Sequence, residues 1–156
     1  MIKPLFNPGD DEWVSMVGRY VLNMGAVEFA TRSLVERIDG IGSPVVSADL
    51  AVRIAFIRKW YPRANRAHHE RAMRTLETAH RHSGFRNIVA HSPLAMSAQS
   101  DGTLLIHGIF NLSPQLDSAD AELVSLAELR ARVDESAVIA RDLLEMQDDF
   151  PVTASG

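Results

Sequence analysis

The sequence predicts an all-α fold: four amphipathic helices packed as a bundle, with a small β-hairpin inserted before the last helix. Three observations carry that expectation. Apolar residues recur at helical spacing over four long stretches, and Pro and Gly punctuate the chain between them. One stretch, LAMSAQSDGTLLIHGIF, breaks the helical period, with two short apolar runs flanking the turn signal Ser100-Asp101-Gly102. The 156 residues suit one domain, read as 1–150 with a disordered tail over 151–156. A composition 46% hydrophobic and 23% charged supports one sizeable core.

The first helix runs from about Asp11 to Ile38 on a stripe of Trp13, Met16, Val17, Tyr20, Met24, Val27, Leu34 and Ile38. Asp10, Asp11 and Glu12 suit its N-terminal dipole, and DGIGSP ends it. The second begins after Ser47, read as its N-cap, buries Leu50, Ile54, Ile57 and Tyr61, and stops at Pro62. The third spans about Arg63 to His91, with Met73, Leu76, Ala79, Ile88 and Val89 as its apolar set and Gly84 as a weak point inside it. The hairpin strands are Leu94–Gln99 and Thr103–Phe110, and a loop follows over 111–122. Ser125 and Glu128 form a capping box for the last helix, whose stripe is Leu126, Leu129, Val133, Ala137, Ala140 and Leu144.

There is no cysteine, which excludes disulfides and thiolate metal sites. No apolar run is long enough to span a bilayer and the N-terminus is not a signal peptide, so a cytoplasmic protein with no membrane partner is expected. The net charge of −4 hides two opposed segments. From Arg58 to Arg86 eight basic residues face two acidic ones, with four histidines among them. From Gln115 to Asp149 ten acidic residues face three arginines. Two readings follow: helix faces that attract each other across the bundle, or a basic surface turned towards a polyanion.

Six histidines raise the question of a metal. His68 and His69 point about 100° apart on a helix, and His80 and His82 about 200° apart, so neither pair closes a ligand set. No metal site is expected, and the histidines read as surface residues of a basic helix. A nucleophile elbow, a glycine-rich phosphate loop and a dinucleotide fingerprint are also missing, and no cofactor is expected.

The stretch that holds chemistry is FRNIVAHSP, residues 85–93. Asn87 and His91 are four apart on one helix face, and Arg86 reaches the same patch. Ser83 and His80 continue the stripe. It offers a titratable imidazole, an orienting amide and a guanidinium suited to phosphate. Arginine and histidine in the last turns of a helix also suit plain capping of its carbonyls.

Arg86, Asn87, three residues and His91 resemble the motif of the HEPN domains (higher eukaryotes and prokaryotes nucleotide-binding). That motif is an arginine, four to six residues and a histidine, with a polar residue often following the arginine. GAVEFATRSL, residues 25–34, with its apolar face and embedded Glu28, resembles the family's opening helix, and the likeness in layout covers roughly residues 11 to 148. The resemblance implies a four-to-five-helix HEPN-like bundle. It implies a metal-independent RNA endonuclease of a toxin–antitoxin or phage-defence system, with Arg86, Asn87 and His91 as catalytic residues and an antitoxin or defence protein as partner. The family also holds inactive members that bind nucleotide, RNA or a partner protein, and that alternative stands beside the first. One toxin branch carries a tyrosine two residues after the histidine; Pro93 stands there, so that branch is not indicated.

RNA cleavage needs the 2′-hydroxyl deprotonated, the 5′-oxygen protonated and the phosphate charge stabilised. One histidine cannot be acid and base at once. A homodimer through the third and fourth helices, with a composite site, is therefore expected. Ser83 and His80 would support that site, and Arg63, Arg66, Arg74 and Arg81 would hold the RNA backbone.

Overall fold

The computed structural model describes residues 2–111 and 122–150. The expected loop, except for its end residues Asn111 and Glu122, and the expected tail lie outside the described residues. The chain is mainly helical with a small antiparallel sheet. In order come α1 (Asp11–Asp39), α2 (Leu50–Trp60), α3 (Arg66–His91), β1 (Leu94–Ala98), β2 (Leu104–Phe110), β3 (Leu123–Val124) and α4 (Leu126–Glu145). Short 3-10 turns cover Pro8–Asp10, Pro44–Ser47 and Met146–Asp149. The chain divides into two compact units, Met1–Val21 with Phe85–Asp134 and Leu22–Gly84 with Glu135–Gly156. Helices α1, α3 and α4 each contribute residues to both.

The first unit is built on the sheet, in the order β1-β2-β3. Leu94 pairs with Ile109 and Ser97 with Leu105, and a bulge falls at Ala95/Met96. The hairpin turn closes through the Gly102 N–H on the Gln99 carbonyl (2.9 Å), with Gly102 at a φ of +81°. The Asp101 carboxylate accepts from the Thr103 backbone N–H (2.8 Å) and hydroxyl (2.6 Å) and is held below its usual pKa by those bonds. The N-terminal segment lies beside β2: the Leu104 N–H bonds the Leu5 carbonyl, and the Asn7 N–H bonds the Leu104 carbonyl. Where that segment turns away, buried Asp10 accepts from the Ile106 N–H (2.9 Å). The third strand pairs Ile109 with Val124, close enough that a Cβ on Gly108 would meet the Val124 carbonyl at 3.0 Å. Trp13, Tyr20, Phe85, Ile106, Ile109, Val124, Leu129 and Val133 are the buried apolar residues here.

The second unit is helical. Its buried set includes Met24, Val27, Leu34, Leu50, Ile54, Ile57, Tyr61, Leu76, Ile139 and Leu143. Arg53 is only 1% exposed. A buried charge needs every donor used. Its Nε donates to Thr31 (3.1 Å), and its two terminal nitrogens bond Glu28 and the carbonyls of Val46 and Ala48. The last 3-10 turn is pinned by Arg37, which donates to the carbonyls of Gln147 (3.0 Å) and Phe150 (3.1 Å).

Several boundaries differ from the sequence expectation, each for a local reason. Ser47 does not cap α2; it ends the 3-10 turn that Ser43 opens, and Asp49 holds the cap position. Tyr61 is extended at ψ 134°, as a residue before proline must be, so α2 stops at Trp60. The third helix starts at Arg66 rather than Arg63, because the Asn65 side chain accepts the His68 N–H at 3.1 Å. It runs unbroken through Gly84. On α4, Leu143 is buried and Leu144 is 43% exposed, so the stripe shifts by one residue at its end. The hairpin gains a third strand at Leu123–Val124. The Ser125 cap is as expected, its hydroxyl accepting the Glu128 N–H at 3.1 Å.

Candidate functional site

The last two turns of α3 have one anchored side. Phe85 is 7% exposed and meets Tyr20 edge-to-face, with ring centroids 5.2 Å apart. The Arg132 guanidinium lies 5.1 Å from the Phe85 ring centre. Ile88 and Val89 are half-buried. Past the helix, the Pro93 carbonyl accepts the Phe110 N–H at 3.0 Å, which fixes the exit to β2.

The other side is bare. Arg86, Asn87, Ala90 and His91 are all exposed. They stand at positions i, i+1, i+4 and i+5 of one helix and so form a continuous strip of surface. Among the described residues, the side chains of Arg86, Asn87 and His91 make no hydrogen bond or ion pair. The strip presents an imidazole, an amide and a guanidinium to solvent, with small Ala90 leaving room between them. That set can bind an oxyanion and move a proton.

The supporting residues stand differently. The Ser83 hydroxyl donates to the His80 carbonyl at 2.7 Å, a bond internal to the helix, and His80 is exposed. Arg63, Arg66, Arg74 and Arg81 are exposed, but Arg63 lies before the helix. Arg66 is paired with Glu70 at 2.8 Å, and Arg81 donates to Thr78 at 3.1 Å. Arg66, Glu70, Arg74, Glu77 and Arg81 follow one another along a single face of α3, so its charges alternate in sign rather than forming a basic track. Arg71, not singled out by the sequence, bonds Asp142 (2.6 Å) and Glu145 (3.2 Å). The bond to Asp142 holds its guanidinium pKa above the ordinary value. Of the basic segment's arginines, Arg71 is the one that these bonds tie to the acidic segment.

His82 was expected on the surface and is fully buried instead, its Nε2 at 2.8 Å from Glu135. Only the position of Glu135, far along the chain, reveals that role. A pocket of about 240 Å³ lies among Tyr61, His68, Arg71, Thr75, Asp142 and Asp149. Its polar groups face one another: Tyr61 donates to Asp149, His68 lies 3.5 Å from Asp149, and Thr75 donates to Asp142 at 3.3 Å. Burial, then the bond to Asp149 and its charge, push the Tyr61 phenol well above its usual pKa. Among the described residues no three His, Asp or Glu side chains are grouped to hold a metal ion, and no helix is long and apolar enough to cross a membrane. The chain matches none of the family models, curated proteins or solved structures with which it was compared.

Proposed function

We propose that the bare strip at the end of α3 is an RNA-processing site of HEPN type, in a metal-independent endonuclease of a toxin–antitoxin or phage-defence system. One observation carries this reading: Arg86, Asn87 and His91 are all exposed and unengaged among the described residues, on a helix end whose opposite side is firmly packed. A helix end that merely needed capping would turn these side chains onto its own carbonyls.

The chemistry follows from the groups. In a two-fold dimer with facing α3 ends, one His91 imidazole takes the 2′-hydroxyl proton as the 2′-oxygen attacks phosphorus. The bond from phosphorus to the 5′-oxygen breaks, and the partner copy's imidazolium protonates that oxygen. The products are a 2′,3′-cyclic phosphate and a 5′-hydroxyl. Arg86 holds the phosphate through two N–H donors as charge builds on its oxygens. Asn87 orients the imidazole or a phosphate oxygen. The test is incubation of the purified chain with single-stranded RNA in EDTA. Cleavage that disappears in His91→Ala supports the reading; equal behaviour of wild type and variant, or no cleavage, defeats it.

A second reading has its own support. The sign-alternating face of α3 offers a long polyanion little continuous attraction, which suits a HEPN-like module that binds a nucleotide, short RNA or partner protein without cleaving it. That reading predicts binding weakened by Arg86→Ala with no cleavage by the wild type.

A further inference from the structure

A different surface shows a regularity that the RNA reading does not use. On α1, Val14, Val21, Leu22 and Phe29 are 54, 53, 74 and 65% exposed. Gly18 and Gly25 lie in the same stripe, and a Cβ at either would meet nothing within 4 Å. All six belong to the unbroken helix Asp11–Asp39 and span about 100° of its circumference. Trp13, Tyr20, Met24, Val27 and Leu34 occupy the other side and are buried. Single exposed apolar residues are ordinary, but a continuous stripe of them is not.

The stripe complements itself when reversed. Around a two-fold axis between Val21 and Leu22, an antiparallel second helix places Leu22 opposite Val21, Gly25 opposite Gly18 and Phe29 opposite Val14. Beyond these, Arg32 falls opposite Asp11, and both are exposed. The symmetry repeats this charge pair at the other end. A parallel pairing would set Asp11 against Asp11 and Arg32 against Arg32. The glycines flatten the surface on both sides of the axis, which lets the axes approach at the short end of the usual 8–10 Å range.

We infer that the outer face of α1 is a self-association surface, on which a second copy of this chain packs antiparallel about the Val21–Leu22 position. The occupant is a second copy because apolar pairs and end charges match together only under this reversal. The inference is independent of the RNA reading. If the α3 ends also pair, each protomer carries two different two-fold faces.

The test is the mass of the full chain in solution by analytical ultracentrifugation, with circular dichroism to show that each variant is folded. The wild type is expected to be a dimer or tetramer, and Leu22→Glu to halve its mass. Asp11→Arg and Arg32→Asp should each weaken association at least tenfold, and the double variant D11R/R32D should regain it. Because the chain has no cysteine, Leu22→Cys reports alone and should oxidise to a covalent dimer. Phe29→Cys should not, since its copy lies about 22 Å along the helix at 1.5 Å per residue. A monomeric wild type, a mass unchanged by Leu22→Glu, or a double variant no better than the single ones would overturn the inference.

Discussion

Helix α3 carries two histidines that its surroundings treat in opposite ways. His82 is fully buried with Glu135 at 2.8 Å, and the Asn23 amide donates to neighbouring Ser136 at 3.1 Å. His91 ends the same helix, exposed and unengaged among the described residues. A buried polar group costs free energy unless it is paired, so His82 has a partner and belongs to the fold. His91 loses nothing to water in the free chain and is available to a ligand. The difference teaches that residue type on a helix says little about role; what faces it decides.

The largest effect that would break this contrast is on catalysis. His91→Ala or Arg86→Ala should lower RNA cleavage by about 10²–10⁴-fold, while the melting temperature stays within a degree or two of wild type. A melting temperature that fell with activity would make His91 a structural residue like His82. Next comes Arg53, a buried charged group of the second unit. Arg53→Ala leaves Glu28 without its cation and should cost about 3–5 kcal/mol in urea unfolding. His82→Ala should cost about 1–3 kcal/mol, with cleavage per folded molecule unchanged. Stability lost without activity, set against activity lost without stability, is the contrast in its sharpest form.

The fold's outline was legible because its signals are local. Asp11 and Glu12 in the first turn of α1, the Ser100-Asp101-Gly102 turn and the Ser125 cap each act within a few residues, and each stands where the sequence put it, whereas Asp10, read with the α1 acids, lies in the turn before the helix and is buried on the distant Ile106 N–H. The motif at Arg86–His91 was legible as a helix end for the same reason. The burial of His82 and Arg53 was not, because Glu135, Glu28 and the Val46 and Ala48 carbonyls are brought up by folding. The third strand was hidden by its length, two residues with no alternation to read. The sign alternation along α3 was in the letters throughout. Counting net charge over a segment concealed it; placing each charge on its face shows it.

Smaller effects sharpen the account of the second unit. The raised phenol of Tyr61 has a definite sign. Below about pH 10, the ordinary tyrosine value, the phenol is neutral in folded and unfolded chains alike. Above it the unfolded chain ionises first, so stability falls as pH rises towards the folded value. Tyr61→Phe should show a shallower loss of stability above about pH 10 in alkaline unfolding curves, with burial as the main cause. An unchanged slope would mean the phenol is open to water. Smallest of all, Ser125→Ala should cost about 1 kcal/mol by urea unfolding, the worth of one helix cap.

The contrast between the two histidines is tested most directly by watching both imidazoles at once. Side-chain NMR of the histidine-labelled chain, titrated with a single-stranded RNA carrying 2′-O-methyl sugars so that it binds without being cut, resolves them by assignment with His82→Ala and His91→Ala. The account predicts that the His91 signals shift with added RNA and saturate, while those of His82 stay in place. RNA binding that leaves His91 unmoved, or no response from either imidazole, would contradict it.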